Sequence, residues 1–460
     1  MSIKIHNTFT GNKETFTPLK PNQVSLYVCG PTVYNRVHIG NARPAVIFDT
    51  LFRLLQLHYD QVTYARNITD IDDKINKAAS EQGVPISEIS EKFTAAYQED
   101  MNGLHVLQPT VQPKATDHIA EIISIIRNLI DNRHAYESEG HVLFDVSSMT
   151  AYGELSNRNL EDMLAGARVE VASYKKHPGD FVLWKPSTGD LPGWESPWGW
   201  GRPGWHIECT AMINKIFGPT VDIHAGGSDL VFPHHENERA QGICSHSEPV
   251  EYVRYWMHNG MININGEKMS KSLNNFITVE ELLEKYSGEQ LRYALLSGHY
   301  RSVLNFSDDL IAQSKSALDR FYNALRETAD IDAVLPEDPK LGKVALALSD
   351  DLNSPEALAA MHGLSSAIFK SNDNLERARL KGELFAGGEL LGLFQKTPEQ
   401  WFRAAEKGAI SEEDIEAKIQ QRVEAKKARN FALSDQIRDD LLQDGVEIQD
   451  TREGTRWQRV

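Results

Sequence analysis

The sequence predicts an α/β protein: a parallel sheet interrupted by a long insertion, then an all-α bundle and a small mixed C-terminal unit. Three observations predict it. β-rich runs alternate with helical spacing at both ends of the first 250 residues, a stretch dense in Gly, Pro and Trp separates those ends, and beyond Ser307 the pattern is nearly all helical to about Gln395. A chain of 460 residues also exceeds what one hydrophobic core usually serves.

The elements follow in order. Ser25-Leu-Tyr-Val-Cys-Gly30 is a strand ending in Gly-Pro, Ala42 to His58 carries apolar residues at helical spacing, and Gln61-Val-Thr-Tyr-Ala-Arg is the next strand. This alternation implies right-handed crossovers and ligands at the carboxyl ends of the strands, where Cys29 sits. A helix from Ile119 to Ile130, a hairpin at Glu139-Gly140 and the Gly/Pro/Trp-rich run from Lys185 to Gly204 make up the insertion. The sheet resumes at Thr220-Val-Asp-Ile-His224, and a helix is expected from about Pro233. Ser307 before Asp308 and Asp309 suits a helix N-terminus. One helix from Glu412 to Leu442, a stop at Gly445 and a short β-like end close the chain. The breaks divide it at 1–115, 116–200, 201–250, 251–306, 307–400 and 401–460.

Composition excludes several classes. No stretch approaches the roughly 20 apolar residues that span a bilayer, so no membrane role is expected. The first residues lack the apolar core of a secretory signal, so a cytoplasmic location is expected. Three cysteines, Cys29, Cys209 and Cys244, are too few for a disulfide framework, and any metal must recruit other residue types. A formal charge of -17 excludes indiscriminate coating of nucleic acid but permits a local basic site. Arg422, Lys426, Lys427 and Arg429 fall in one expected helical segment, and Arg452, Arg456 and Arg459 follow in the tail. A solvated face is the plainer reading of the same charges.

Two runs bear on chemistry. His38-Ile-Gly-Asn41 opens the first helix, where free N–H groups and positive partial charge meet phosphate, Gly40 leaves room for a flat base, and His38 can donate to a phosphate oxygen. A buried histidine beside a packing glycine would look the same. Lys268-Met-Ser-Lys-Ser272 is more specific. Two lysines with interleaved serines can hold a triphosphate, most strongly as charge moves to a leaving pyrophosphate. Together the runs resemble the HIGH and KMSKS signature motifs of the class I aminoacyl-tRNA synthetases, which implies ATP bound across a split Rossmann-like parallel sheet. Asn41 stands where the family pattern has His. An amide still donates a hydrogen bond, so the nucleotide role is expected without a general acid at that position.

A third run, His224-Ala-Gly-Gly-Ser-Asp229-Leu-Val-Phe-Pro-His234-His235-Glu236-Asn237-Glu238, places His234 and Glu238 four apart, on one face of a helix started by the proline. Cys29 and Cys209 would complete a set of two thiolates, one imidazole and one carboxylate. His235 competes with His234, although it lies about 100° around the helix. Cys244 lies roughly 9 Å beyond Glu238 along a straight helix, out of ligand reach.

With these residues the chain from about Leu26 onward resembles the cysteinyl-tRNA synthetase family. That family has this zinc set, the tryptophan before the second cysteine, the Gly-Gly-Ser-Asp turn and a helical C-terminal region. The resemblance implies catalytic roles for His38, Lys268 and Lys271. It implies ATP contacts from Pro31, Thr32, Gly40, Asn41, Met269, Ser270 and Ser272 beside them, and a cysteine pocket of Cys29, Thr69, Trp205, His224 and Asp229. It implies one zinc per chain that binds the substrate thiolate and rejects serine, magnesium with ATP, and L-cysteine, ATP and tRNA(Cys) as partners of a monomer. Residues 251–306 would contact the RNA stem, 307–400 the anticodon, and 401–460 would recognise tRNA through Arg422, Lys426, Lys427 and Arg429. Two other readings stay open. A ligase on the same scaffold that passes cysteine to an amino sugar would lack the roughly 150 residues after Ser307. A zinc-stabilised nucleic-acid-binding protein has no use for the lysine loop.

Overall fold

The computed structural model describes residues 2–159, 172–189, 191–269, 275–403, 410–451 and 454–459. Ser270, Lys271, Ser272 and Arg452 lie outside the described residues. A hairpin of β1 (Lys4–Asn7) and β2 (Asn12–Thr15) precedes β3 (Gln23–Val28), α1 (Ile39–His58) and β4 (Gln61–Arg66). β3 and β4 pair in parallel, from Gln23 opposite Gln61 to Val28 opposite Arg66. Helices α2 (Asp73–Gln82) and α3 (Ile86–Gly103) follow, then α4 (Ile119–Asp131) and an antiparallel sheet of β5 (Ala135–Ser138), β6 (His141–Phe144), β7 (Phe181–Pro186) and β8 (Gly201–Pro203). The chain returns through α5 (Trp205–Phe217) to β9 (Val221–Gly227), α6 (Glu236–Cys244) and β10 (Val253–Asn259).

β10, β9, β3 and β4 form one parallel sheet in that order, so the two halves of the fold meet at the β3–β9 pair. Two boundaries drawn from the sequence move. β8 pairs with β7, which carries the insertion past 200, and β10 extends the parallel sheet past 250 because Val253–Asn259 runs alongside β9.

Beyond the sheet, β11 (Ile262–Ile264), β12 (Glu267–Lys268) and β13 (Leu304–Phe306) form a small sheet around α7 (Val279–Leu283) and α8 (Gly288–Leu296). The bundle comprises α9 (Asp308–Arg326), α10 (Lys343–Leu348), α11 (Ser354–Lys370), α12 (Asn374–Leu391) and α13 (Pro398–Arg403). Ser307 caps α9 by accepting from Leu310 N at 3.3 Å. The C-terminal unit holds α14 (Glu412–Lys427), α15 (Phe431–Gln443) and a hairpin of β14 (Val446–Thr451) and β15 (Gly454–Arg459). The single helix expected there is two. Arg429 takes a left-handed φ of 59°, and Asn430 starts α15 by accepting from Leu433 N.

One hydrophobic core runs from Leu26 and Val28 through Phe48, Leu51 and Leu55 of α1 to Leu318, Phe321 and Met361 of the bundle. At its centre Asp49 and Arg292 form a fully buried ion pair. Asp49 also accepts from Arg53 Nε at 2.9 Å and Leu107 N at 2.8 Å, and Arg292 Nε donates to Leu391 O at 2.6 Å. That full hydrogen-bonding offsets the cost of removing both charges from water.

Candidate functional site

The carboxyl edge of the sheet gathers residues from four segments. Cys29 follows β3 directly, and its N–H donates to Ala225 O of β9 at 3.0 Å, which fixes it at the seam between the halves. Cys209 lies one turn into α5. The helix expected from Pro233 begins instead at Glu236. Residues 231–235 form an irregular turn with Phe232 extended, because its φ of -139° and ψ of 131° leave the helical region. The His234–Glu238 relation survives the change, with His234 Nε2 2.9 Å from Glu238 Oε1.

Cys29, Cys209, His234 and Glu238 thus converge, their donor atoms all within 4.8 Å of one another. The two sulfurs are 3.8 Å apart, and Cys29 Sγ is 3.6 Å from Glu238 Oε1. An overlapping group holds Cys29, His224, His235 and Glu238. His235 Nε2 is 3.3 Å from Cys29 Sγ and 4.0 Å from Glu238 Oε1, while its Nδ1 lies 2.8 Å from His258 Nε2. Both histidines reach the cluster, and only the first group brings in a second sulfur. Two thiols, an imidazole and a carboxylate facing one another, all buried except the half-buried Cys29, are a donor set that fits a soft divalent metal.

The electrostatics are those of a tightly coupled cluster. Burial works against ionising Glu238, but His224 and His234 override it and hold the carboxyl down at about 2. Burial likewise works against a charged His234, yet Glu238 and the Cys209 sulfur push it up to about 10. Burial raises the Cys29 thiol, whereas the hydrogen bond from Cys29 lowers Cys209. Around the cluster, His224 Nε2 lies 3.0 Å from Glu238 Oε2, and His206 Nδ1 lies 3.0 Å from His234 Nδ1. Trp205, half-exposed, stacks on His234 with ring centroids 4.1 Å apart. Thr69 is buried, its hydroxyl accepting from Asn67, and Asp229 is exposed at the rim facing His38.

The second half of the site lies at the start of α1. His38 caps the helix: its Nδ1 accepts from Asn41 N, and Asn41 Oδ1 accepts from His38 N, both at 3.3 Å. Accepting at Nδ1 leaves the ring proton on Nε2, free to donate outward, and burial lowers the histidine pKa despite Asp229. Pro31 and Thr32 lead toward this cap beside Thr69, whose N–H donates to Pro31 O at 3.2 Å. The chain beyond the lysine loop is stitched to the same place. Ile39 N donates to Ile277 O at 3.1 Å, Val279 N to Val37 O at 3.0 Å, and Phe276 lies 5.0 Å from the His38 ring. Met269 reaches Gly40, and Lys268 ends β12 on the surface.

The C-terminal basic residues divide. Arg422 is buried and makes a bidentate pair with Asp450 at 2.8 and 3.0 Å, and Lys426 Nζ meets the same carboxylate at 2.6 Å. Arg422 is therefore not part of a free cationic face. Lys427 and Arg429 are exposed, Arg429 in the turn rather than in the helix. Arg459 donates to Arg403 O and Ile410 O.

Sequence reasoning does not single out His206, His258 or Asn67, which hold the site from behind. A single histidine three residues before Cys209 and another two residues after Trp256 are the available signals for the first two.

Residues 15–316 match the family model described as tRNA synthetases class I (C) catalytic domain, and residues 343–395 match a DALR domain. The cysteine–tRNA ligase of Saccharophagus degradans is 56% identical over 464 residues, covering 100% of both chains. That of Xanthomonas campestris pv. campestris is 54% identical with the same coverage. Among solved structures, Mycobacterium tuberculosis methionyl-tRNA synthetase in complex with methionyl-adenylate has a TM-score of 0.54 at 15% identity, over 80% of this chain and 89% of that one. A putative arginyl-tRNA synthetase from Campylobacter jejuni has a TM-score of 0.53 at 14% identity, over 83% and 95%. At such identities the likeness is one of fold.

Proposed function

This chain belongs to the cysteine–tRNA ligase family of class I aminoacyl-tRNA synthetases, and from that premise we propose how its residues divide the work. The reaction has two steps. The carboxylate of cysteine attacks the α-phosphate of ATP, giving cysteinyl-adenylate and pyrophosphate, and a terminal ribose hydroxyl of tRNA(Cys) then takes the cysteinyl group and releases AMP. Positioning and charge stabilisation carry most of the rate.

His38 donates from Nε2 to the phosphates, while Lys268 and Lys271 meet the charge that grows on pyrophosphate. Gly40 and Asn41 bound the adenosine with Pro31, Thr32 and Met269, and Ser270 and Ser272 add hydroxyl contacts. Magnesium enters with ATP. Cys29, Thr69, Trp205, His224 and Asp229 form the amino-acid pocket, and the Asp229 charge also acts on His38.

Cys29, Cys209, His234 and Glu238 would hold zinc. When bound, zinc supplies a centre that takes a thiolate and leaves a hydroxyl, the basis assigned here for rejecting serine. Shape alone separates such near-isosteres by only about 10- to 200-fold. In the same reading Lys427 and Arg429 contact tRNA phosphates.

The observation that supports this best is the convergence of the four donors at the sheet edge beside the helix opened by His38. Cysteine-dependent exchange of pyrophosphate into ATP, run with and without tRNA and with serine in place of cysteine, tests it. No exchange with cysteine, or equal exchange with serine, would refute the reading.

A further inference from the structure

The loops that follow β3 and β4 leave the sheet side by side. Thr69 N donates to Pro31 O and Val33 N to Thr69 O, both at 3.2 Å, which prolongs the parallel pairing past the strand ends. One side chain spans the two loops. Asn67, 1% exposed, accepts from Gly30 N at its Oδ1 (2.8 Å) and donates from Nδ2 to Thr69 Oγ1 (3.2 Å). A Cβ on residue 30 would stand 1.7 Å from Asn67 O, so this approach depends on glycine there. The two bonds also fix the amide's orientation, since reversing it would set N–H against N–H. Cys29 is therefore held on both sides. Its own N–H is fixed by Ala225 of β9, and the next residue is fixed by Asn67.

We propose that Asn67 is a positioning residue of the cysteine site, its amide holding Cys29, through Gly30, and Thr69 as one unit. The proposal rests on the roles assigned above to Cys29 and Thr69. The amide touches neither the substrate nor the metal donors. It sets the spacing between a metal donor and a pocket wall before either is occupied. The residue type suits the task, because a carboxamide is a short neutral side chain that accepts and donates at once, and a charged group so deeply buried would be costly.

The test uses full-length protein with Asn67→Ala, Asn67→Ser and Asn67→Asp. Asn67→Ala is expected to weaken zinc retention against a chelator by about 10-fold or more, as loss of a residue that orients metal donors does. It should also shift the thiolate-to-metal charge-transfer band of the cobalt-loaded protein. In pyrophosphate exchange, KM for cysteine should rise roughly 10- to 100-fold while KM for ATP stays nearly unchanged. Asn67→Asp, whose carboxyl when protonated accepts from Gly30 N and donates to Thr69 Oγ1 without burying a charge, should restore the cobalt band. Asn67→Ser is too short to span both partners and should show the same defects more weakly, so it decides the matter if the alanine variant does not fold. An unshifted cobalt band with an unchanged KM for cysteine overturns the proposal. Parallel rises in both KM values with a normal band also overturn it. If wild-type protein shows no cysteine-dependent exchange, the functional reading fails, and the cobalt band and chelator competition still decide the role of Asn67.

Discussion

The tip of Met269 rests against Gly40: a Cβ there would stand 2.4 Å from Met269 Cε and 3.0 Å from His38 Nδ1. Because the end of methionine is flexible, Gly40→Ala is expected to fold and to crowd the nucleotide site instead. KM for ATP in pyrophosphate exchange should rise roughly 10- to 100-fold, at about 1.4 kcal/mol per decade. Gly40→Ala combined with Met269→Ala should recover part of that loss, and no recovery would locate the crowding at His38.

Cys209→Ser removes one sulfur from the four-donor cluster. Zinc content measured by atomic emission should fall, and cysteine binding should weaken far more than ATP binding. Cysteine affinity that survives complete metal removal in folded protein would separate the cluster from substrate recognition.

Lys271→Ala is expected to lower the activation rate constant by roughly two to four decades, because the transition state loses a charged interaction worth about 3–5 kcal/mol. Pre-steady-state adenylate formation reads this directly. A changed ATP affinity with a normal rate constant would assign Lys271 to ground-state binding.

Arg422→Ala breaks the bidentate pair with Asp450 and should loosen the C-terminal unit, seen as faster amide exchange in α14 and β14. Lys427→Ala with Arg429→Ala should leave that exchange alone. It should weaken tRNA binding and flatten its salt dependence by about one unit of slope for each phosphate no longer neutralised. Unaltered tRNA affinity and slope would return the patch to solvent.

Asp49→Ala strips the partner from buried Arg292, and removing one member of such a pair costs about 3–5 kcal/mol. Denaturant unfolding should show the loss. Burial works to raise the Asp49 pKa, but Arg292 and Arg53 override it and hold the carboxyl below its ordinary value. The native state then binds fewer protons than the unfolded one near pH 4. This contribution is present above the unfolded carboxylate pKa and is lost as pH falls through the folded one. The wild-type advantage over Asp49→Ala should therefore shrink in acid.

Features carried by residue type within a short span are legible in the sequence. With three cysteines in 460 residues, Cys29 and Cys209 stand out, and Cys244 is set aside by its distance from Glu238. The i, i+4 spacing of His234 and Glu238 is legible and holds, at 2.9 Å against 4.0 Å for His235, whereas the irregular turn at 231–235, with Phe232 extended, has no signal in the helical pattern. β10 escapes notice because Val253–Asn259 lies next to the lysine loop and groups with it. The break at Arg429 has no glycine to announce it, although Asn430 is an available capping signal. The partner of Arg422 lies 28 residues on, in β14 beyond the whole of α15, and no local pattern announces that packing.

Cys29 and Cys209 are 180 residues apart along the chain, yet their sulfurs meet at the seam between β3 and β9. An ion that grips both closes a loop as long as a small domain, and in a loop-entropy model such closure removes on the order of 5 kcal/mol of disorder from the unfolded chain. Synthesis proceeds from one end, so β3 leaves the ribosome with its strand-end thiol long before β9, its more distant parallel neighbour, exists, and distant parallel pairings form slowly. The β3–β9 seam is therefore expected to close after the local hairpins and α1. The two thiols come together only once β9 has been made, so the four-donor cluster belongs to the finished seam and to neither half alone.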